Sequence, residues 1–377
     1  MQTIIHTLLS ATPGTTQNLV SLHYGTPGVG PKVYIQGSLH ADEVPGMLVA
    51  HHVRGLLNAL EAQGRIRGEV VLVPAANPMG VHQWHLRGYQ GRFEFHSGEN
   101  YNRNFTDLSE TVATAVAGQL TGDAAHNVAV VRRALREAAA ALPVKTAIDS
   151  LRKTLLSLAI DAHAVLDLHS DGEGLLHLYT TPATWPQAEL LARCVGARVA
   201  LLAERSGGDP FDEACSMVWV DIAQRIGPAH PLPPSCMAAT IELRGEQDVR
   251  HDLAAQDAAG IVRYLVALGV VHAGEHGDAP APLPALQCQP TPLAGSIPLV
   301  APHGGMVVFL RTPGEVVKQG EPLVDIIDPF TGHTSTLGAG TDGLFFAREN
   351  RRFAVAGMAL GKVAGTDAVR SGSLLSA

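Results

Sequence analysis

The chain has 377 residues, of which 46% are hydrophobic and 16% are charged, and its formal net charge is −8. This length suits one large α/β domain with a smaller module, or two domains, and the hydrophobic content excludes a disordered chain. The acidic balance, without any lysine- or arginine-rich run, argues against a nucleic-acid partner. No signal-peptide pattern and no apolar run of membrane-spanning length is found, so we expect a cytoplasmic protein with no membrane partner.

Cysteine usage agrees with a reducing compartment. Cys194, Cys215, Cys236 and Cys288 lie far apart in the sequence, and no CxxC pair occurs. A disulfide framework and a structural zinc ribbon are therefore both disfavoured, and reduced thiols are the simpler interpretation.

The first 273 residues alternate between predicted strands and helices. Residues 33–35 form a short apolar strand, a helix candidate continues to about residue 60, and residues 68–74 are an apolar run of buried-strand length. Strand, helix and strand at this spacing are typical of a βαβ unit. Further strands are predicted at residues 161–172, 175–179 and 238–243, with a closing helix at 252–268. This pattern predicts an α/β domain at residues 1–273.

Two segments inside this domain differ from the alternating pattern. Residues 79–105 are irregular and rich in glycine, histidine, arginine and aromatic residues, which is typical of a functional loop and wrong for a disordered linker. Residues 111–160 are helical by composition, with a turn near residues 141–143. We interpret the loop as part of a binding site and the helical stretch as an insertion.

The last hundred residues differ from the first part of the chain in composition and in predicted secondary structure. Residues 274–298 are rich in proline and predict a semi-rigid linker. Residues 299–377 show short strands separated by glycine turns, which predicts a small all-β module resembling a lipoyl/biotinyl half-barrel. The turn at residues 328–332, where a carrier domain would present its modified lysine, contains no lysine. We therefore interpret the module as a structural cap or active-site cover.

Polar side chains that can carry chemistry follow three predicted strands. His40 and Glu43 come after the first strand, His169 ends a second, and Glu242 ends a third. Two histidines and one glutamate, with a fourth position open to water, are a catalytic zinc set. Each residue also has a simpler explanation: His40 can cap a turn, Glu43 can favour a helix N-terminus, His169 can be a structural histidine, and Glu242 can be salt-bridged. Their shared position at strand ends, where open α/β sheets bind ligands, favours the metal site.

Five short motifs in order resemble those of the succinylglutamate desuccinylase/aspartoacylase family, a branch of the zinc carboxypeptidase-like fold. They are Gly37-Ser-Leu-His40-Ala-Asp-Glu43, Asn77-Pro78, Asn102-Arg103-Asn104-Phe105, Asp167-Leu168-His169 and Thr240-Ile241-Glu242. The resemblance covers most of residues 30–365 and implies a mixed central sheet flanked by helices. It also implies one zinc ion per chain, bound by His40, Glu43 and His169, with Glu242 as general base and acid.

The resemblance further implies roles for several arginines. Asn102 and Arg103 would hold a substrate carboxylate, since a guanidinium offers the bidentate fork that a carboxylate fits. A second arginine would polarise the scissile carbonyl, and Arg92 is our first choice and Arg87 our second. Arg244 follows the general base closely and is a further candidate for contact with an anionic substrate. The loop between Asn77 and Asn102 is longer than is typical of the family, so substrate identity does not transfer.

Three functions are compatible with these residues. The first is a zinc hydrolase that cleaves an amide bond in a small N-acyl amino acid or another carboxylate-bearing molecule. The second is a metallocarboxypeptidase acting on peptides or cell-wall fragments, which a loop 79–100 that leaves an open groove would favour. The third is a non-catalytic binding protein, which has no need for Glu242 and is therefore disfavoured. We expect a small-molecule substrate as partner, and the sequence leaves a homo-oligomer open.

Overall fold

A nine-stranded mixed sheet forms the centre of the first part of the chain in the computed structural model, which describes residues 1–274 and 282–375. Its strand order is β1-β2-β4-β3-β7-β11-β9-β10-β12, with β4, β3, β7 and β11 parallel to one another. A separate hairpin pairs β5 with β6. The strands are β1 (Gln2–Leu8), β2 (Gln17–Gly25), β3 (Lys32–Gly37), β4 (Glu69–Val73), β5 (Trp84–His85), β6 (Gly88–Tyr89), β7 (Ala164–Asp171), β8 (Glu173–Gly174), β9 (Leu176–Thr180), β10 (Val199–Leu202), β11 (Met237–Gly245) and β12 (Pro290–Pro292).

Helices cover both faces of this sheet. They are α1 (Pro45–Ala62), α2 (Pro78–Val81), α3 (Ser109–Val116), α4 (Ala124–Ala141), α5 (Ala147–Ala159), α6 (Trp185–Val195), α7 (Phe211–Ile226) and α8 (His251–Ala267). The segment predicted as helical at residues 111–160 is thus three helices. The last of them, α5, begins with a capping box in which Thr146 and Asp149 bond each other's backbone N–H groups.

The two faces of the sheet have separate apolar cores. Val33 and Ile35 of β3 pack into one core, on the side of α1, α6 and α8. Tyr34, between them, packs into the other core, together with residues of α3, α4, α5 and α7. Central strands buried on both faces read as continuous apolar runs, which is why the sequence of β3 and β4 lacks a polar alternation.

The C-terminal module consists of two antiparallel sheets around their own core. Their strand orders are β13-β20-β18-β15 and β17-β16-β14-β19. Leu323, Val324, Phe345 and Val363 are among the fully buried side chains between them. The strands are β13 (Ser296–Val300), β14 (Gly305–Phe309), β15 (Val316–Val317), β16 (Pro322–Ile327), β17 (Thr334–Gly338), β18 (Gly343–Arg348), β19 (Phe353–Ala354) and β20 (Ala359–Ala364).

The module docks directly on the α/β domain next to the end of β7. The two-residue strand β8, which follows β7 immediately, pairs with β18 of the module. Part of the predicted linker, residues 275–281, lies outside the described residues. Another part forms β12, which adds an edge strand to the large sheet beside β10, a position where prolines are tolerated. The module's first strand begins at Ser296, slightly before the predicted boundary at residue 299.

The structure confirms the predicted fold class: a mixed α/β sheet flanked by helices, followed by a C-terminal all-β module. In the described part of the chain, every helix is too short or too polar to cross a bilayer.

Candidate active site

Three predicted metal ligands meet in one buried cluster at the end of β3 and β7. The ligand atoms of His40, Glu43 and His169 all lie within 4.8 Å of one another. Nδ1 of His40 is 2.8 Å from Oε1 of Glu43, and Nδ1 of His169 is 2.7 Å from its Oε2. All three side chains are almost fully buried. The sequence prediction that strand ends bring these residues together agrees with this arrangement.

Tight backbone packing shapes the loop between β3 and α1 that carries two of these ligands. A Cβ atom at Gly37 would lie 2.7 Å from the carbonyl oxygen of Gly46, so the loop can fold back on itself only with glycine there. A Cβ atom at Gly91 would lie 2.1 Å from the backbone nitrogen of Asp42. The Asn77 amide also holds the loop, because its Nδ2 donates to the carbonyl of Leu39 at 3.0 Å. Asn77 of the Asn77-Pro78 motif therefore holds the loop between β3 and α1 in place through its hydrogen bond to Leu39.

The protonation of His40 is fixed by a neighbour that the sequence did not reveal. Oδ1 of Asn100 accepts a hydrogen bond from the backbone N–H of Asn102 at 2.8 Å, which identifies this atom as the amide oxygen. The same oxygen lies 2.8 Å from Nε2 of His40, so Nε2 must be the donor. Burial, and then the charge of Arg92, lower the pKa of His40 to about 4. A neutral His40 with its proton on Nε2 presents the lone pair of Nδ1 to Glu43.

His169 is oriented in the same manner by a carboxylate. Its Nε2 lies 3.0 Å from Oδ2 of Asp167, and Oδ1 of Asp167 accepts a hydrogen bond from Gln36 at 2.9 Å. Burial alone would lower the pKa of His169, but the charges of Asp167 and Glu43 hold it well above its ordinary value. A carboxylate behind a histidine is the usual way to aim the other ring nitrogen at a metal.

This donor set fits a divalent metal ion. Two imidazole Nδ1 atoms and a carboxylate face one another, while Nε2 of His40 donates to Asn100 and Nε2 of His169 lies 3.0 Å from the Asp167 carboxylate. The two imidazoles hold the pKa of Glu43 well below its ordinary value although burial alone would raise it, so Glu43 is an anion. Two neutral histidines and one carboxylate are the ligand set of catalytic zinc sites, so His169 would give up its Nδ1 proton when a metal ion binds. The cluster is therefore a possible metal site, and the donor chemistry favours zinc.

The cluster opens into a cavity of about 640 Å³ that also contains Glu242. Glu242 lies on β11, directly beside His169 of β7 in the sheet register. Its Oε2 is buried and has no hydrogen-bond partner among the described residues. Burial, and then the negative charges of Glu43 and Asp171, raise the pKa of Glu242 to about 8. A carboxyl group with this pKa exchanges protons readily near neutral pH.

The predicted arginines differ in where the structure places them. Arg92 and Arg103 both line the cavity. Nη2 of Arg92 donates to Oε1 of Glu43 at 2.7 Å, and Nη1 of Arg103 donates to the carbonyl of Asn102 at 2.7 Å. Arg92 therefore lies against a ligand of the predicted metal, as expected of a group that acts beside it.

Asn102 lines the cavity but its amide is also used inside the protein. Oδ1 of Asn102 accepts the backbone N–H of Phe211 at 2.9 Å, and its Nδ2 lies 3.4 Å from Nε2 of His169. Asn102 thus joins the start of α7 to His169 of the candidate metal site, and its contact with a substrate carboxylate stays a prediction.

Arg87 and Arg244 are not brought into the cavity by the described structure. Arg87 is an exposed residue with φ of 69° in the turn between β5 and β6. Arg244 follows Glu242, but it has φ of 67° at an irregular point of β11 and pairs with Asp257 of α8. In a regular strand, Arg244 would point to the same face of the sheet as Glu242. The register of β11 shifts between Glu242 and Gly245, so this alternation does not hold and Arg244 pairs with Asp257 instead. Of the two candidates for the carbonyl-polarising arginine, only Arg92 lies beside the metal cluster.

The C-terminal module contributes a cation that sequence reasoning missed. Nζ of Lys362, on β20, lies 2.5 Å from Oδ2 of Asp171 at the end of β7, and both residues line the cavity. Asp171 and nearby carboxylates raise the pKa of Lys362 above its ordinary value, although burial alone would lower it. The sequence predicted an active-site cover, but the pairing of β18 with β8 is what brings Lys362 to this place. No local motif marks it.

Comparisons with known proteins agree with the motifs. The family model of the succinylglutamate desuccinylase/aspartoacylase catalytic domain matches residues 29–268. No curated protein matches the chain. A solved structure of a protein assigned to this family, from Shewanella amazonensis SB2B, is 27% identical, with a TM-score of 0.81 over 97% of this chain and 98% of that one.

Two further structures share the fold at lower identity. A protein assigned to the same family from Shewanella frigidimarina NCIMB 400 is 23% identical, with a TM-score of 0.83 over 97% of both chains. The ectoine utilization protein EutE (DoeB) from Ruegeria pomeroyi is 15% identical, with a TM-score of 0.67 over 97% of this chain and 95% of that one. Because the family model covers well over half of the sequence, the chain belongs to the succinylglutamate desuccinylase/aspartoacylase family of hydrolases.

Proposed function

We propose that this protein is a zinc-dependent hydrolase that cleaves the amide bond of a small N-acyl amino acid. One observation carries the proposal: two histidine Nδ1 atoms converge on the Glu43 carboxylate in a cavity that also holds the buried, unpartnered oxygen of Glu242. Such a site has both a place for a metal and a separate proton carrier. Membership of a hydrolytic family supports the same conclusion.

His40, Glu43 and His169 would hold one zinc ion per chain. When bound there, zinc lowers the pKa of a water ligand towards about 7 and polarises a carbonyl. Asn100 holds the His40 proton on Nε2 and so leaves Nδ1 for a metal ion, and the negative charge of Asp167, 3.0 Å from Nε2 of His169, favours a proton on that nitrogen. These two residues therefore set the metal affinity without touching the ion.

Glu242 carries the proton in the proposed reaction. Its carboxylate accepts a proton from the attacking water and delivers it to the nitrogen of the leaving amine. A pKa raised to about 8 by burial, and then by nearby carboxylates, makes both transfers accessible near neutral pH. The negative charge of Glu43 is one cause of this raised pKa. A cation bound at Glu43 would offset that charge, so the pKa of Glu242 falls when the metal site is filled.

Positive side chains on the cavity wall match a carboxylate-bearing substrate. We propose that Arg103, with its neighbour Asn102, binds the substrate carboxylate. Arg92 would stabilise the negative charge that develops on the oxygen of the scissile carbonyl. Arg92 is one-third exposed, so its guanidinium is accessible from the cavity.

The walls of the cavity favour a small substrate over a peptide. Tyr89, Arg92 and Phe93 of the long loop line one side, and Lys362 and neighbouring residues of the C-terminal module line another. Walls supplied by both the loop and the module limit the cavity to about 640 Å³, which is within the usual volume range of small-molecule sites. This observation supports the deacylase over the metallocarboxypeptidase.

A metal analysis and a hydrolysis screen test this function. Purified protein should contain about one zinc per chain, and the His40→Ala/His169→Ala double variant should contain none. The zinc-loaded protein should hydrolyse members of a panel of N-acetyl and N-succinyl amino acids in preference to short peptides. Glu242→Gln should keep the metal and lose hydrolysis by a factor of about 10² or more. A wild-type protein without zinc affinity, or an active Glu242→Gln variant, would refute the assignment.

A further inference from the structure

We propose that residues 369–375, which follow the last strand of the module, close one side of the catalytic cavity and so set an upper limit on the length of the substrate. Leu375 lines the same cavity as His40, His169 and Glu242. This inference rests on the proposed function for the reaction that takes place in the cavity. It adds a determinant of substrate size that lies outside the long loop and outside the strands of the module.

The segment is attached to the module at its beginning. The backbone N–H groups of Val369 and Arg370 both donate to the carbonyl of Ala294, at 3.1 and 3.0 Å. Nη1 of Arg370 donates to the carbonyl of Ser296 on β13 at 2.8 Å, and its Nη2 donates to the carbonyl of Leu374 at 2.7 Å. One arginine therefore connects the far end of the segment to the first strand of the module.

The segment is attached to the α/β domain at its end. The backbone N–H of Leu374 donates to the carbonyl of Ser206, in the loop after β10, at 2.7 Å. A Cβ atom at Gly207 would lie 2.9 Å from Oγ of Ser373, so the two stretches of chain approach closely at this point. Ser206 itself lines the cavity. The segment thus extends from the module to the α/β domain and reaches the latter at the cavity wall.

The segment has solvent on one side and the cavity on the other. Residues 371–373 are exposed, whereas Leu374 and Leu375 are partly buried and pack against the apolar cluster between the module and the large sheet. Leu375 also lines the cavity. A segment in this position is a wall, and its displacement should widen the cavity.

Few contacts hold this wall in place. It contains neither helix nor strand, and the side chain of Arg370 supplies two of the hydrogen bonds that attach it. Segments of this kind open at a low cost in free energy, so loss of one side chain should be enough to release it. The wall is assigned to neither end of the substrate, and both ends are therefore extended in the test.

Hydrolysis of compounds of different length tests the wall. Each N-acetyl amino acid of the panel is compared with its form extended by glycine at the carboxyl end and with its N-hexanoyl form, and release of the acyl group is measured. In the wild type, at least one longer compound should have a kcat/KM at least about tenfold below that of the shorter one. Arg370→Ala, which releases the segment, and Leu375→Ala, which shortens the wall, should each remove most of this difference.

Hydrogen exchange shows whether the segment is docked, and it requires no activity. In the wild type the amide of Leu374 should exchange slowly, because it donates to the carbonyl of Ser206. Arg370→Ala should speed this exchange at least about tenfold. Leu375→Ala keeps Arg370 and should leave the exchange slow. The two variants therefore separate the attachment of the segment from its role as a wall.

Arg65→Ala is the matched control. Nη2 of Arg65 likewise donates to two backbone carbonyls, those of His272 and Ala273 at 2.9 and 2.8 Å, but Arg65 lies outside the cavity. Its loss should change neither the exchange of the Leu374 amide nor the ratio of kcat/KM between short and long compounds.

Each outcome decides the inference. Fast exchange of residues 369–375 in the wild type, or a kcat/KM ratio that neither variant changes, would overturn it. If Arg370→Ala leaves the exchange slow, Leu375→Ala alone decides. Equal kcat/KM for all lengths in an active wild type would overturn this inference and leave the proposed function in place. A wild type that releases the acyl group from none of the compounds would refute the proposed function and this inference together.

Discussion

Replacement of Asn100 by alanine should weaken metal binding although Asn100 is not a metal ligand. Its Oδ1 lies 2.8 Å from Nε2 of His40 and accepts the backbone N–H of Asn102 at the same distance. Without this oxygen, nothing fixes the His40 proton on Nε2, and the tautomer with its proton on Nδ1 cannot bind a metal through that atom. The change therefore acts on the metal through the orientation and protonation of one ligand.

The expected size of the effect follows from two contacts. Loss of a hydrogen-bonding partner behind a metal-binding histidine typically costs a factor of about 10 to 100 in metal affinity, or about 1.4 to 2.7 kcal/mol. The buried N–H of Asn102 also loses its acceptor, which costs about 1 to 3 kcal/mol of folding stability. We therefore expect a weaker zinc complex and a lower melting temperature in Asn100→Ala.

The assay is a chelator competition that measures the zinc dissociation constant, with circular dichroism to confirm folding. Asn100→Asp keeps an acceptor for both N–H groups and should bind zinc at least as tightly as wild type. Asn104→Ala, a change at an exposed position two residues after Asn102, is the control for a change in the same loop. A folded Asn100→Ala protein with wild-type zinc affinity would show that Asn100 does not set the His40 tautomer.

Three further changes should have distinct effects. Gly91→Ala places a methyl group inside the metal-ligand loop and should reduce both stability and zinc affinity in urea unfolding and chelator titration, whereas Gly118→Ala, which has open space, should change neither. Lys362→Met removes a salt bridge at the cavity and should lower the melting temperature and kcat, and Lys362→Arg should restore part of both. Burial, and then the charge of Glu213, raise the pKa of Asp212 from 3.8 to about 7, so the folded chain binds this proton more tightly and stability falls as the pH rises from about 4 to about 7. Asp212→Asn should remove that loss, at most about 2.7 kcal/mol between about pH 5 and about pH 8, when unfolding in urea is compared at these two pH values.

The sequence predicts the location of those site residues that lie at the ends of strands. His40, His169 and Glu242 each follow a buried apolar run, and parallel strands end at the same edge of a sheet. Glu43 lies three residues after His40, between the predicted strand and the following helix, and this position predicts it as a ligand before the resemblance to a known family implies the same. The structure brings His40, Glu43 and His169 together at the ends of neighbouring parallel strands, where they could hold a metal ion.

Residues whose place depends on loop conformation were harder to predict. Arg87 and Arg92 lie in the same irregular segment, but Arg87 is exposed in the turn between β5 and β6, whereas Arg92, five residues later, donates to Glu43. Arg244 was placed near the substrate because it follows Glu242 by two residues, but a positive φ and a shifted register turn it to Asp257. Asn100 has no motif of its own, since its role arises from a contact with His40, sixty residues away.

The module's part in the site depends on a contact between distant segments, and this contact explains why no local pattern reveals it. Gly172 directly precedes β8, and a Cβ atom at Gly172 would lie 2.9 Å from the carbonyl of Arg348. This close approach lets β18 pair with β8 directly after β7, the strand that carries His169. The same docking brings Lys362 to Asp171. Since the strand that positions a metal ligand continues into the strand that binds the module, displacement of the module would disturb the cavity wall and the end of β7 together. The module is therefore better understood as one wall of the active site than as a separate cap.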